Sequence, residues 1–445
     1  MAGDAPVRMT IEALIASGAI IAHKDGNYGS SYPRVEEFGT EGVPFLTAKS
    51  LREGYVDIDG APRLGNNRAD ELTFGFVQTD DVLLSHNATI GRVAVVPQHK
   101  GRLLVGTSLT YFRLNPQKLL PRYLAVYFAG AEFQNQLVAV MSHSTRNQVP
   151  VTAQRKLHVV VPPLAEQRAI AGVLGALDDK IELNRRMNAT LESMARALFQ
   201  SWFVDFDPVR AKLDGRQPVG MDDETADLFP DSFQDSEAGH IPKGWTSQRL
   251  PEAIEVNPRR VLKSGTIAPY LDMKNLPTEG HSAEEVIDRE FTSGTKFQNG
   301  DTLLARITPC LENGKTGYVD FLADGQVGWG STEYIVLSPK PPLPPQFGYL
   351  LARSDTLRTH AIQNMTGTSG RQRVPSECFN TFWLAVPTPE IARRFDEITG
   401  SLMAKIKTNA TESRTLATLR DTLLPKLLSG ELSVAEALRN ADITG

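Results

Sequence analysis

Gly314-Lys315-Thr316 has the ending of a phosphate-binding loop, a glycine followed by a lysine and a hydroxyl. The position five residues before the Gly-Lys pair must be glycine for backbone N–H groups to close on a phosphate, and here it is Pro309. No His-Glu-x-x-His pair is present to hold zinc, and no Gly-x-Ser-x-Gly turn lifts a serine nucleophile. The eight histidines are scattered without ligand spacing. Two cysteines, Cys310 and Cys378, are too few for a four-thiolate zinc site or a disulfide scaffold, and are expected as small buried residues. The chemistry left is hydrogen bonding by Lys, Arg, Asn and Gln. This predicts a binding or assembly protein that is not an enzyme and holds no metal.

Those side chains need elements to position them. A chain of 445 residues and 48.8 kDa is too long for one ordinary core, so two or three domains are expected. With 41% hydrophobic and 22% charged residues, the composition is that of a folded protein. No window is apolar enough to span a membrane, and Met1–Gly18 has no basic region ahead of an apolar one, so a cytoplasmic location is expected. The formal charge of −5 is unevenly spread. Residues 217–243 hold seven acids and one lysine, which leaves 46 basic against 45 acidic side chains elsewhere. That segment also contains Pro218, Pro230 and Pro242, and is expected to be an exposed acidic linker.

The chain repeats itself. Val43-Pro-Phe-Leu-Thr-Ala-Lys49-Ser-Leu51 recurs as Ala268-Pro-Tyr-Leu-Asp-Met-Lys274-Asn-Leu276, a shift of 225. Asp81-Val-Leu-Leu84 recurs as Asp301-Thr-Leu-Leu304, a shift of 220. Ser144-Thr-Arg146-Asn-Gln-Val-Pro150 returns as Ser369-Gly-Arg371-Gln-Arg-Val-Pro375, and Asn188-Ala-Thr190 as Asn409-Ala-Thr411. Matches in the same order at nearly one spacing define two copies of one unit.

Each copy reads as a mixed strand-and-helix part followed by a long helix. Val82-Leu83-Leu84, Val93–Val96 and Tyr334–Leu337 are expected strands, while Pro121–Ala139 and Pro345–Asn364 are expected helices opened by proline. Beyond Pro163, apolar residues at Ile170, Leu174, Leu177, Ile181, Leu191, Ala195, Leu198 and Trp202 form a helical stripe. Phe395, Ile398, Leu402, Ile406, Leu416, Leu419, Leu423 and Leu427 repeat it. Some 40 residues make a rod of roughly 60 Å. Each stripe is interrupted, by Asn184 and Asn188 in one and by Asn409 and Ser413 in the other; this is either a buried polar seam or a solvated break. Pro425 is expected to kink or end the second rod. The fold class is therefore α+β, with two mixed α/β parts joined by two long helices in an antiparallel coiled coil, and a dumbbell outline. The expected boundaries are 1–160, a helical region 161–216, the linker 217–243, a second globular part 244–386, and a second helical region with its tail, 387–445.

Val161-Pro-Pro-Leu-Ala-Glu-Gln-Arg-Ala-Ile170, with Leu177–Asn184 and Leu198-Phe-Gln-Ser-Trp-Phe203-Val-Asp-Phe-Asp-Pro208, resembles the central helical region of type I restriction–modification specificity subunits. Gly244-Trp245 and Leu423–Leu432 carry the same resemblance, which covers essentially the whole chain. The second copy departs from it with Pro389-Glu390-Ile391 in place of the Glu-Gln pair, and the first globular part lacks the opening that Ile241–Trp245 gives the second. The resemblance implies that each globular part is a target-recognition domain for one half of a bipartite sequence in double-stranded DNA. It implies that the helices set the spacer and dock two methyltransferase subunits, with restriction–translocase subunits joining them in host defence. S-adenosylmethionine, and ATP with Mg for restriction, would sit on those partners, leaving this chain without cofactor.

Recognition demands phosphate anchors and base readers. Matched residues of the repeat, Lys49 with Lys274 and Arg146 with Arg371 beside Ser144 and Ser369, are expected on phosphates. Diverging residues, Asn147 and Gln148 against Gln372 and Arg373, are expected on bases, as are Asn87, Arg92, Arg306 and Lys315 in the loops Ser85–Arg92 and Ala305–Lys315. Glu166, Gln167, Leu177, Ile181, Leu198, Trp202, Phe203, Leu402, Leu416, Leu423 and Leu427 are expected at subunit interfaces. Two alternatives remain at this level: a stand-alone DNA-binding adaptor of the same fold, or an enzyme. Asp207-Pro208-Val209-Arg210 resembles the Asp-Pro-Pro-aromatic loop of amino-methyltransferases but lacks its second proline and its ring.

Overall fold

The computed structural model describes residues 6–432 except Glu53, Ala88, 143–146, Glu284, Ser369 and Gly430. Ser144, Arg146 and Ser369 thus lie outside the described residues. The chain forms two compact units, Met1–Asn184 with Glu412–Gly445, and Arg185–Thr411. Each unit takes part of both long helices.

In the first unit a four-stranded antiparallel sheet runs in the order Val93–Val95, Val82–Ser85, Leu109–Leu114, Ile20–Asp25. The second unit repeats that order with Thr316–Tyr318, Thr302–Ala305, Tyr334–Pro339, Ile254–Val256. A second sheet in each unit has a parallel pair at its centre, Val43–Leu46 with Leu103–Val105 and Ile267–Leu271 with Gly328–Gly330. Val82–Ser85 and Thr302–Ala305 are buried along their whole length because both faces are covered. Val82 and Leu84 face a core made with helices, while Leu83 faces the second sheet; Leu304 and Leu303 divide in the same way.

The strand Val7–Thr10 pairs with His158–Val161, and Thr246–Arg249 with Trp383–Val386. Each pairing closes its globular part just before a long helix begins. The helices expected as Pro121–Ala139 and Pro345–Asn364 are each two helices. Pro121–Ala129 breaks from Ala131–Ser142 at Gly130, and Pro345–Arg353 from Asp355–Gln363 at Ser354. Both break residues adopt extended backbone, and Ser354 Oγ then caps the second helix at Leu357 N. A side chain at Gly130 would collide with Leu424, whose methyl group lies 2.3 Å from the Cβ position.

The long helices are Leu164–Phe199 and Pro389–Ser429. Within the first unit Asp178 accepts from Arg420 at 2.8 Å, and Asn184 Nδ2 donates to Glu412 at 2.8 Å and to Ser413 Oγ at 3.3 Å. Within the second, Asn409 Nδ2 donates to Asn188 Oδ1 at 2.9 Å, and the Phe199 and Phe395 rings lie 6.4 Å apart. Rising numbers on one helix meet falling numbers on the other, so the helices pair antiparallel. Asn184 and Asn409 are each 1% exposed, which makes the interruption a buried polar seam.

Pro425 does not end the second helix, which continues to Ser429. Pro425 itself is exposed, so the carbonyl it leaves unpaired can bond water, and buried Leu423, Leu424 and Leu427 hold the turn in place. A further correction concerns residues 217–243, which are folded. A short helix, Asp223–Asp227, is capped by Asp222, and Phe233–Ser236 pairs with Gly239–Pro242. Phe229 and Ile241 are buried in the second unit's core. Counting charge concealed these apolar residues, and Asp222 is not free acidity, because it accepts from Arg394 at 2.7 Å.

Candidate nucleic-acid interface

Lys49 and Lys274 occupy the same place in the two units. Each is exposed on a short turn that follows the central strand of the second sheet, Val43–Leu46 or Ile267–Leu271. A cation from the neighbouring loop fastens each turn from beneath. Arg92 Nη1 donates to the carbonyls of Ala48 at 3.3 Å and Leu51 at 3.1 Å. Lys315 Nζ donates to the carbonyls of Met273, Lys274 and Leu276, each at 2.8 Å. An ammonium has three donors, so Lys315 has none left for a ligand. Lys315, expected among the base-reading residues, is therefore a structural clamp, while Arg92 holds its turn through Nη1 alone. The reason is geometric: a carbonyl cluster needs a donor, and a cation 39 to 44 residues away in sequence supplies it, which uses up Lys315 but only Nη1 of Arg92.

Within each unit the two diverging loops meet. Asn87 pairs with Gln148 as an isolated β-bridge, and Ile307 with Arg373. Beside these, Val149 N donates to His86 O and Val374 N to Arg306 O, both at 2.8 Å. Asn147 and Arg371 are exposed, while Asn87 and Gln148 in the first unit and Arg306 and Gln372 in the second are half-buried. Arg373 is exposed but engaged, because Nε and Nη2 grip the Glu333 carboxylate at 2.7 to 2.9 Å. This hydrogen bonding holds the Glu333 carboxyl below its usual range, and the charges of Arg373 and Arg306 add to the effect. Arg373 thus carries its own counter-ion.

Behind these loops each unit buries an aspartate. Asp81 accepts from Gln78 N and from Arg113, and Asp301 from Gln298 N and from Arg260. The repeated Asp-x-Leu-Leu motif marked these acids in the sequence, but their arginine partners, Arg113 on the strand Leu109–Leu114 and Arg260 beyond the strand Ile254–Val256, leave no shared signal. The first unit also buries a polar layer that no motif announced. His23 Nε2 lies 3.1 Å from Gln154 Oε1, and Gln154 Nε2 donates to Thr110 Oγ1 and Val149 O at 2.9 Å. His86 Nε2 lies 4.0 Å from Asp25 Oδ2. Burial pushes His23 down to about 4 against the opposing bond from Gln154, and burial lowers His86 against the nearby Asp25 charge.

Most residues expected at subunit interfaces are buried within this chain. Gln167 accepts from Leu120 N and donates to Lys118 O and Pro162 O. Leu177, Leu423 and Leu427 belong to the first unit's core, Trp202 and Phe203 to the second's, and Ile181 is buried as well. Leu198, Leu402 and Leu416 pack against those cores while partly exposed, and Glu166 is half-buried. An apolar stripe marks a buried face but does not say which chain covers it. Asp207-Pro208-Val209-Arg210 is a helix start, with Pro208 and Val209 buried and Arg210 bonded to Asp205 O. Cys378 is buried and Cys310 half-buried. Among the described residues no three His, Cys, Asp or Glu side chains could hold a metal ion, and no helix is long and apolar enough to cross a membrane.

The fold is a tandem repeat, with two like scaffolds presenting unlike loops. Residues 39–193 match the type I restriction modification DNA specificity domain. The chain is 23% identical over 390 residues to the type I restriction enzyme HindI specificity subunit of Haemophilus influenzae, covering 77% of this chain and 84% of that one. It is 24% identical over 424 residues to the MjaIX specificity subunit of Methanocaldococcus jannaschii, covering 92% and 91%. Over most of its length the chain is similar to type I restriction enzyme specificity subunits. A crystal structure of such a system's S subunit from M. genitalium aligns over 95% of this chain and 96% of that one, with TM-score 0.48 and 15% identity.

Proposed function

We propose that this chain is the DNA-specificity subunit of a type I restriction–modification complex, in which each unit reads one half of a bipartite target. It binds DNA, assembles with the other subunits, and carries out no chemistry itself. One observation carries the division into half-sites. The two units share a topology and a clamped lysine turn, while the side chains beside that turn differ. Asn87, Asn147 and Gln148 stand where the second unit has Ile307, Gln372 and Arg373. A common scaffold suits phosphate contacts that are alike at both half-sites, and diverging side chains suit unlike bases. Lys49, Lys274 and Arg371 are the phosphate anchors, a role that the repeated sequence also gives Arg146, Ser144 and Ser369. Arg306 and Arg373 lie with Glu333 at the second unit's reading surface.

The paired helices serve as the spacer and dock two methyltransferase subunits through their exposed faces. The partners supply S-adenosylmethionine and adenine methylation, and restriction subunits add ATP and Mg. The complex works on chromosomal DNA in the cytoplasm. Mapping modified adenines genome-wide with and without this gene tests the reading. A split motif that disappears with the gene is expected. An unchanged methylome in cells that express the chain and a partner methyltransferase would overturn it.

A further inference from the structure

In the second unit, the Arg353 guanidinium closes the helix Pro345–Arg353 and faces two loops at once. Nε donates to Tyr349 Oη at 3.2 Å. Nη1 donates to Thr278 O at 2.6 Å and Gly314 O at 2.8 Å, and Nη2 to Gly280 O at 2.5 Å and Thr316 O at 2.8 Å. All five donors of the fork are engaged. The acceptors belong to the loop that carries Lys274 and to the loop that runs from Arg306 to Lys315. Tyr349, 0% exposed, donates its hydroxyl proton to Glu192 Oε1 at 2.6 Å, and Glu192 sits on the first long helix with 7% exposure. A chain of charge-assisted hydrogen bonds thus runs from the helix to both loops.

Among the described residues the first unit has no counterpart. Its corresponding helix, Pro121–Ala129, is also nine residues long, with Ala125 and Ala129 at the positions of Tyr349 and Arg353. There Gln134 reaches the loop instead, at Gly91 O and 2.9 Å. Nothing in the second unit's fold requires a buried Glu–Tyr–Arg series here, since Ala125 packs the same place against an apolar core. Buried polar series of this kind cost desolvation and return a fixed geometry.

We propose that Glu192, Tyr349 and Arg353 are positioning residues for the second unit's half-site. They tie the Lys274 turn and the 306–315 loop to the spacer helix, so base discrimination depends on side chains that touch no DNA. The proposal rests on the reading that each unit recognises its own half-site. The test uses the full chain with its methyltransferase partner and three variants, Tyr349→Phe, Arg353→Lys and Glu192→Gln. Discrimination between the cognate duplex and duplexes substituted in one half-site should fall about tenfold at the second unit's half-site in the first two, as for loss of a bond to a charged group. Discrimination at the other half-site should hold. Glu192→Gln should keep it at both, because the amide oxygen still accepts from Tyr349.

Hydrogen exchange of the amides of Gly314, Lys315 and Thr316, measured without DNA, should quicken in Tyr349→Phe and Arg353→Lys but not in Glu192→Gln. Equal losses at both half-sites, or unchanged exchange in Tyr349→Phe, would overturn the proposal. If the wild-type complex shows no split target at all, the half-site reading is what fails, and the exchange result still decides whether the series holds the loops.

Discussion

Two kinds of lysine face one another across the second unit's recognition turn, and their side chains do different work. Lys274 is exposed on it, while Lys315 spends its three donors on the turn's carbonyls. Lys274→Ala should weaken binding to every duplex and lower the slope of log affinity against log salt by about one, as loss of one phosphate contact does. Lys315→Met should leave that slope unchanged, and should destabilise the second unit by about 1–3 kcal/mol because carbonyls are left without donors. Salt titration and urea unfolding separate the two effects. Equal salt slopes for both variants would show that Lys315 touches phosphate.

His23 sets an acid limit at the same scale. Its folded pKa of about 4 lies below the unfolded value near 6.5, so the unfolded chain binds the extra proton first. Stability from this group is complete above pH 6.5 and is lost as pH falls toward 4, by roughly 3 kcal/mol in all. Buried His86 is shifted in the same direction. Trp202, Trp245, Trp329 and Trp383 all lie in the second unit, so tryptophan fluorescence reports that unit alone. Hydrogen exchange in the strand Ile20–Asp25 should quicken between pH 6.5 and 4 while the fluorescence transition moves less. His23→Gln should flatten the dependence, and a His23→Gln chain with an unaltered acid limb would assign it elsewhere.

Among the elements, the long helices depend on a polar seam for their register. Asn409 donates to Asn188 Oδ1, and Asn188 Nδ2 to Ile406 O. Asn409→Leu should cost about 1–2 kcal/mol by leaving the Asn188 amide poorly satisfied in a buried seam. The double variant Asn188→Leu with Asn409→Leu should cost less than the two single losses added, since no polar partner is then stranded. A double-mutant cycle by chemical unfolding measures that difference, and strict additivity would mean the two amides do not interact. The same element shows why the apolar stripe was readable and its partner was not. Leu177, Leu423 and Leu427 had to be covered, and their own chain covers them.

At the scale of the whole molecule, two units with separate cores and separate reading loops should behave as independent readers. Gln372→Ala is expected to relax one half of the methylated motif, and Asn147→Ala the other. Each loss should be about 1–3 kcal/mol if the lost bond is bidentate. Combined, the two changes should add, because residues of units with separate cores do not share the packing that couples neighbours. Methylome sequencing of cells carrying each variant gives the answer directly. A single substitution that degraded both halves would contradict independent reading.

By itself the sequence determined the tandem repeat, the helical stripes, the strand at Val82–Leu84 and the family resemblance. These are local or periodic features, because a shift of about 225 or a step of three and four residues is written along one line. It also put Lys49 beside the same kind of turn as Lys274. Tertiary structure alone decided which cations are free. Lys315 reads as a surface base until the carbonyls of Met273, Lys274 and Leu276 take its three donors. It decided that 217–243 folds, because Phe229 and Ile241 find a core that net charge does not foresee. It also joined Glu192 to Tyr349 across 157 residues. The physical reason is common to all three: a side chain's role follows from what satisfies or covers it, and that partner is chosen by the fold.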